Sequence, residues 1–184
     1  MRRPARRIGF TLLELMITLA ILSVLGAIAT PSFSALIDRQ RLQAAAHHLQ
    51  ADIALARHES ALRRQTVHLR FQTGAAWCYV LSTGAPVDCQ HDASARLPGV
   101  IKLVRASESA GVRLLQADAM AFQADNDVSL PTLHAGQASF SSREGVQLRL
   151  RLGALGRASL CAPDGHLPGT PPCGAPAAKA SPAS

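Results

Sequence analysis

The chain has 184 residues, 48% of them hydrophobic and 17% charged, with 19 basic residues against 12 acidic ones. That length leaves room for one membrane segment and one modest globular domain with a single core, and excludes a large multidomain enzyme. Four of the basic residues, Arg2, Arg3, Arg6 and Arg7, crowd the first nine positions, and the remaining balance is 15 to 12, so the high net charge does not by itself argue for a nucleic-acid partner.

Residues 1–9 are basic and carry no acid. From Phe10 to Ala29 there follow twenty residues with one charge, Glu14. A helix of that length spans about 30 Å, the thickness of a bilayer's hydrocarbon core. The leader's arginines keep it on the cytoplasmic side, which puts the rest of the chain outside. A secretory signal peptide would have a shorter apolar core and a small-residue cleavage site. Ala27-Ile28-Ala29 offers such a site, but the run is long, Glu14 is out of place in it, and the helical pattern continues past it. A carboxylate in such a segment is costly and asks for a partner.

The string Gly9-Phe10-Thr11-Leu12-Leu13-Glu14 resembles the processing site of type IV pilins and type II secretion pseudopilins. The resemblance implies that a prepilin peptidase cuts after Gly9, that Phe10 becomes the N-methylated first residue, and that the apolar helix stays attached. It also implies a partner for Glu14: the free α-amino group of a neighbouring subunit's Phe10. A carboxylate in low dielectric favours an opposite charge, and the cut creates one.

Pro31 predicts a kink near the membrane boundary. Beyond it, Phe33, Leu36, Ile37, Leu42, Ala45, Ala46, Leu49, Ile53, Ala56 and Ala61 recur at helical spacing. One helix is expected from about 10 to 62, its second part packing one face on a globular domain. His47, His48 and His58 read as a solvated helix face, since no His-Glu-x-x-His pattern is present. Glu59 and Arg63 form an i,i+4 pair in the favourable order. The stretch around Ala56-Arg57-His58-Glu59-Ser60-Ala61, running into Val67-His68-Leu69, is similar to the helix-to-strand join of the GspH/FimT group of minor pilins and pseudopilins. Ser60 is a small departure, standing between Glu59 and Ala61.

The rest reads as short strands: 67–71, 77–81, 100–104, 120–122, 138–140, 146–152 and 157–161, separated by turn residues. Six or seven such strands predict an antiparallel β-domain of two packed sheets. The fold class is thus α+β: a long N-terminal transmembrane helix packed on a C-terminal antiparallel β-domain, which the resemblance makes type IV pilin-like. The expected divisions are a leader at 1–9, a membrane and assembly helix at 10–30, its amphipathic continuation at 31–64, a GspH/FimT-like domain at 65–174 and a disordered Ala/Pro/Ser tail at 175–184.

Four cysteines, Cys78, Cys89, Cys161 and Cys173, form an even set behind an export-like N-terminus, and two disulfides are the natural reading. Pairing sequence neighbours is the simplest of three connectivities. A zinc site with His91 and His166 is the rival, without any C-x2-C pair to support it. Asp125-Asn126-Asp127 resembles part of a calcium loop but lacks the glycine and distal glutamate. No Ser/His/Asp set, metal-ligand set or phosphate-cradling loop is present, so neither an enzyme nor a cofactor is expected.

Arg149 and Arg151 share one face of a strand, with Arg157 and Arg143 close by in sequence; together they suggest a basic patch. Duplex DNA is a natural partner for it, since arginine binds phosphate oxygens bidentately. Some FimT-type minor pilins bind DNA through a Gly-Arg-x-Arg motif; the matching stretch is Gly156-Arg157-Ala158-Ser159, with Ser159 in place of the second arginine. The expected function is therefore a structural minor pilin or pseudopilin of a type IV pilus or type II secretion system. The alternative is a DNA-binding minor pilin of natural transformation. The resemblance implies as partners the prepilin peptidase, other pilins, the inner-membrane assembly platform and the membrane, crossed once, with the domain periplasmic or carried to a fibre tip at the cell surface.

Overall fold

A computed structural model describes residues 11–89, 97–123, 136–153, 156–165 and 167–174, without the side chains of 28–32. One helix, α1 (Leu12–Arg63), precedes eight strands among the described residues: β1 (Val67–Gln72), β2 (Cys78–Thr83), β3 (Val100–Arg105), β4 (Arg113–Ala117), β5 (Met120–Phe122), β6 (Gln137–Ser141), β7 (Gln147–Leu152) and β8 (Ala158–Cys161). The backbone divides into two units, Met1–Ile37 and Asp38–Ser184. The first unit is helical from Leu12 onward. The helix bounds run across Pro31, whose expected kink lies outside the described side chains.

In the second unit, the later turns of α1 bury Leu42, Ala45, Ala46, Leu49, Ile53 and Ala56, three or four residues apart, as a helix with one apolar stripe must. His47, His48 and His58 stay on its exposed side. The Glu59–Arg63 ion pair forms on the last turns. Arg64 then takes a left-handed conformation, φ 52°, which ends the helix in the place where glycine is commonest.

The strands form two antiparallel sheets, in the orders β3-β2-β1-β5 and β4-β6-β7-β8. A short 3-10 turn, Ala106–Glu108, carries the chain from the first sheet to the second, and β5 returns it to the first. Val67, Leu69, Tyr79 and Leu81 of the first sheet share one core with Leu114, Phe140, Leu148 and Leu150 of the second and with the α1 stripe. Trp77 joins the layers: its ring stacks on Tyr79 at 6.2 Å, meets Phe140 edge-on at 5.7 Å, and donates its Nε1 hydrogen to the Val112 carbonyl at 2.8 Å.

β4 was not among the expected strands. Leu114 and Leu115 are adjacent, which breaks period-two alternation, and the register of β4 against β6 shifts between Leu114 and Gln116. Leu114 enters the core while Leu115, on the opposite face at the bulge, stays 49% exposed.

Candidate functional site

Gly9 and Phe10 lie outside the described residues. The helix behind them starts on a cap. Thr11 Oγ1 accepts the Glu14 N–H at 3.2 Å, and the Thr11 carbonyl accepts from Leu15. Thr11-Leu12-Leu13-Glu14 thus has the spelling of a capping box and places an acid in the first turn, where the helix dipole favours it. After Glu14 the helix is apolar on every side. Leu15, Met16, Ile17, Leu19, Ile21, Leu22, Val24 and Leu25 are all exposed. Two polar side chains in this stretch satisfy themselves: Thr18 Oγ1 donates to the Leu15 carbonyl and Ser23 Oγ to the Ala20 carbonyl, each at 2.8 Å. They demand nothing of the medium around the helix. Among the described residues no helix is long and apolar enough to cross a membrane. Both ends of the expected span, Phe10 and the side chains of residues 28–30, fall outside those described. Glu14 has no ion pair among the described residues.

A second polar site lies inside the core and was missed in the sequence. Asp52 is on the buried stripe of α1 at 3% exposure. Its carboxylate accepts from Tyr79 Oη and from Lys102 Nζ, each at 2.7 Å. Burial, aided by the neighbouring Asp52, pushes the Tyr79 hydroxyl far above the usual phenol range, so it remains a donor. The signal available was an acid at helical spacing between Leu49 and Ala56, but its partners lie far along the chain. Beside Lys102 a cleft of about 260 Å3 opens between α1 and the 3-10 turn, lined among others by Arg41, His48 and Glu108, so both signs of charge meet there.

The cysteines pair as sequence neighbours, Cys78–Cys89 and Cys161–Cys173. All four are thereby taken, and none is left as a thiolate ligand for zinc. His91, His166 and the acidic turn at 125–127 lie outside the described residues. Cys78–Cys89 holds the loop after β2 over a small apolar cluster with Val80. Cys161–Cys173 folds the segment after β8 back beside it, where Ala162 bridges Pro172.

The four expected patch arginines do not come together. Arg149 and Arg151 do share the outward face of β7. Arg143 stands in the turn before β7, its side chain against Gly111. Arg157 stands in the turn after β7, so the strand separates the two by about 20 Å at 3.3 Å per residue. The turn that presents Arg157 is fastened to α1. Arg57 Nη1 donates to the Gly156 carbonyl at 3.1 Å, and Gln50 Nε2 to the Ala158 carbonyl at 2.9 Å. Gly156 has φ +68°, and a Cβ there would meet Arg57 Nε at 3.1 Å. Gly156→Ala is therefore expected to lower stability by about 1–2 kcal/mol, read by thermal unfolding, because left-handed backbone penalises a Cβ. Gly153→Ala, where φ is ordinary, serves as the control and should cost less.

Comparison with known proteins supplies the remaining findings. Residues 4–30 match the prokaryotic N-terminal methylation motif. Residues 45–156 match the family described as type II transport protein GspH. No curated protein matches. Among solved structures, the chain is similar to the type IV minor pilin FimU of Pseudomonas aeruginosa, with 18% identity, a TM-score of 0.48, and coverage of 68% of this chain and 91% of that one. The GspH match takes in more than half of the chain, from the middle of α1 through the β7–β8 turn, and the chain belongs to that family, the pilin-like subunits of the GspH/FimT group.

Proposed function

We propose that the chain is a structural subunit of a pilus-like fibre, a minor pilin or pseudopilin. It is cut after Gly9 by a prepilin peptidase, methylated at Phe10 and held in the inner membrane by its first helix, with the second unit in the periplasm. Glu14 docks the terminal amine of a neighbouring subunit, and the assembly platform and other pilins are its partners. The observation that carries this reading is the capped first stretch of α1, whose apolar side chains from Leu15 to Leu25 are exposed all round and whose one acid, Glu14, sits in the first turn. Such a surface needs an apolar surrounding, which a bilayer or a bundle of like helices provides.

The test is processing. Co-expressed with a prepilin peptidase, the chain should lose residues 1–9 and gain a methyl group on Phe10, both read by mass spectrometry. Gly9→Val should leave it uncut. A chain that stays full-length beside an active peptidase would sink the reading. Type IV pilus and type II secretion machinery share these features, and co-purification of the processed chain with one or the other platform separates them. The alternative of a DNA-binding subunit draws on Arg149, Arg151, Arg157 and Arg143. With Arg143 and Arg157 at opposite ends of β7, that reading ranks second.

A further inference from the structure

The free edge of the second sheet is closed by the chain itself. β8 is the last strand in the order β4-β6-β7-β8. Gly153 N–H donates to the Arg157 carbonyl at 2.9 Å, whereas Leu152 N–H goes the other way, to the Gly136 carbonyl. Odd-numbered residues of β7 therefore bond to β8, and Ala158, Leu160 and Ala162 turn their backbone polar groups away from the sheet. Such a row is a template for another strand, and β8, Ala158-Ser159-Leu160-Cys161, has neither the charge nor the proline that commonly blunts an edge. Its start is covered by Gln50, which takes the Ala158 carbonyl. Its far end is covered by the returning chain. Ala162 N–H donates to the Pro171 carbonyl at 2.8 Å, and Cys173 N–H to the Ala162 carbonyl at 3.0 Å, a parallel bridge. The cover offers no new edge, since Pro172 has no N–H and its carbonyl accepts from Gly174 at 2.9 Å. Leu167 is buried, but Pro171 and Pro172 are exposed, so burial does little to keep them in place. The Cys161–Cys173 disulfide does.

We infer that residues 167–174 cap β8 against a second copy of this chain, and that Cys161–Cys173 holds the cap shut. The inference stands apart from the fibre reading. A second copy is the fitting partner because the stretch under the cap is complementary to itself. Laid antiparallel about a two-fold axis at Cys161, Leu160 faces Ala162 of the other copy and Ala162 faces Leu160, and each pair exchanges both backbone bonds. Cys161 then faces Cys161 in the closer kind of pair, with Cα atoms about 4.5 Å apart, inside the range that a disulfide spans. Leu160, Cys161 and Ala162 carry no charge, so nothing in the stretch repels its own copy.

The experiment uses the full-length chain in a nonionic detergent, with diamide as oxidant, and reads covalent dimers on non-reducing gels. Two variants open the cap and leave one thiol each. Cys173→Ser leaves Cys161, 8% exposed in the capped chain, and Cys161→Ser leaves Cys173, which is less buried. Two thiols join with loss of two protons and two electrons to diamide. Exposure alone would link Cys173 the faster. Strand pairing instead brings Cys161 against its own copy, so Cys173→Ser should dimerise at least roughly tenfold faster than Cys161→Ser. Adding Leu160→Pro removes one edge N–H from each copy while the ladder to β7 stays, and should abolish that advantage in a chain that keeps its circular dichroism. Equal rates, faster linking of Cys161→Ser, or an advantage that survives Leu160→Pro would overturn the inference. Should Cys173→Ser misfold, the folded unaltered chain opened with dithiothreitol replaces it. Its mass by light scattering should then about double, and an unchanged mass would overturn the inference.

Discussion

Lys102→Met should destabilise the second unit by about 3–5 kcal/mol, the cost of leaving a buried carboxylate without its cation. Asp52 has a side chain only 5% exposed, whereas that of Lys102 is 39% exposed. The pair is therefore asymmetric. Without Lys102, the Asp52 carboxylate, 5% exposed, keeps only the Tyr79 hydroxyl of these two partners. Without Asp52, the Lys102 ammonium can turn to solvent. The cost of Asp52→Ala then falls mainly on the stranded Tyr79 hydroxyl, about 1–3 kcal/mol. Replacing all three together, Asp52→Leu with Tyr79→Phe and Lys102→Met, should bring stability back near that of the unaltered chain, because a packed apolar trio pays no desolvation cost. Urea unfolding of the four proteins checks the order. If Lys102→Met unfolds with the unaltered chain, Asp52 does not depend on Lys102 in the way its burial implies. A loss of 3–5 kcal/mol is a large share of the 5–15 kcal/mol that holds a typical domain.

Glu14→Ala should leave insertion and processing intact and reduce incorporation into the fibre at least roughly tenfold, the effect of losing about 1.4 kcal/mol at each subunit contact. Insertion itself should become easier, since a carboxylate costs roughly 2.5–3.5 kcal/mol at a membrane's centre and somewhat less toward a helix end. The loss arises in the neighbour, whose terminal amine would be left in a low-dielectric surrounding with no acid to meet. Glu14→Gln should fall between, because the amide oxygen still accepts a hydrogen bond but carries no charge. The measurement compares the variant's share in the membrane with its share in sheared fibres. Equal co-assembly of Glu14→Ala and the unaltered chain would remove Glu14 from the docking role.

Much of this was readable in the sequence because it is local. The leader, Gly9-Phe10 and Glu14 lie within a few positions of each other, and the family match to the methylation motif falls on that stretch. The helical stripe from Leu42 to Ala56 declares itself by spacing alone. β4 did not, because its bulge cancels the alternation by which strands are recognised. The Asp52 site was hidden for another reason. Tyr79 is 27 residues from Asp52 and Lys102 is 50, and they meet only after two neighbouring strands have been laid across the helix. The arginines erred in the opposite sense. Arg143 and Arg157 flank Arg149 in sequence but stand at opposite ends of β7, while Arg113 is remote in sequence and stands two strands away on the same face.

The polar ties between α1 and the sheets bear on how the second unit would carry a load. Gln50 and Arg57, seven residues apart on one side of the helix, hold the β7–β8 turn and the start of β8. Asp52, on a different side, holds β2 through Tyr79 and β3 through Lys102. A pull applied along the helix, as a growing or retracting fibre would apply it, is thus divided between the two sheets from its first moment. Neither sheet can be peeled away alone without also straining the core they share. Rupture should need several ties to fail together, which makes this part of the subunit stiff under tension and abrupt when it gives.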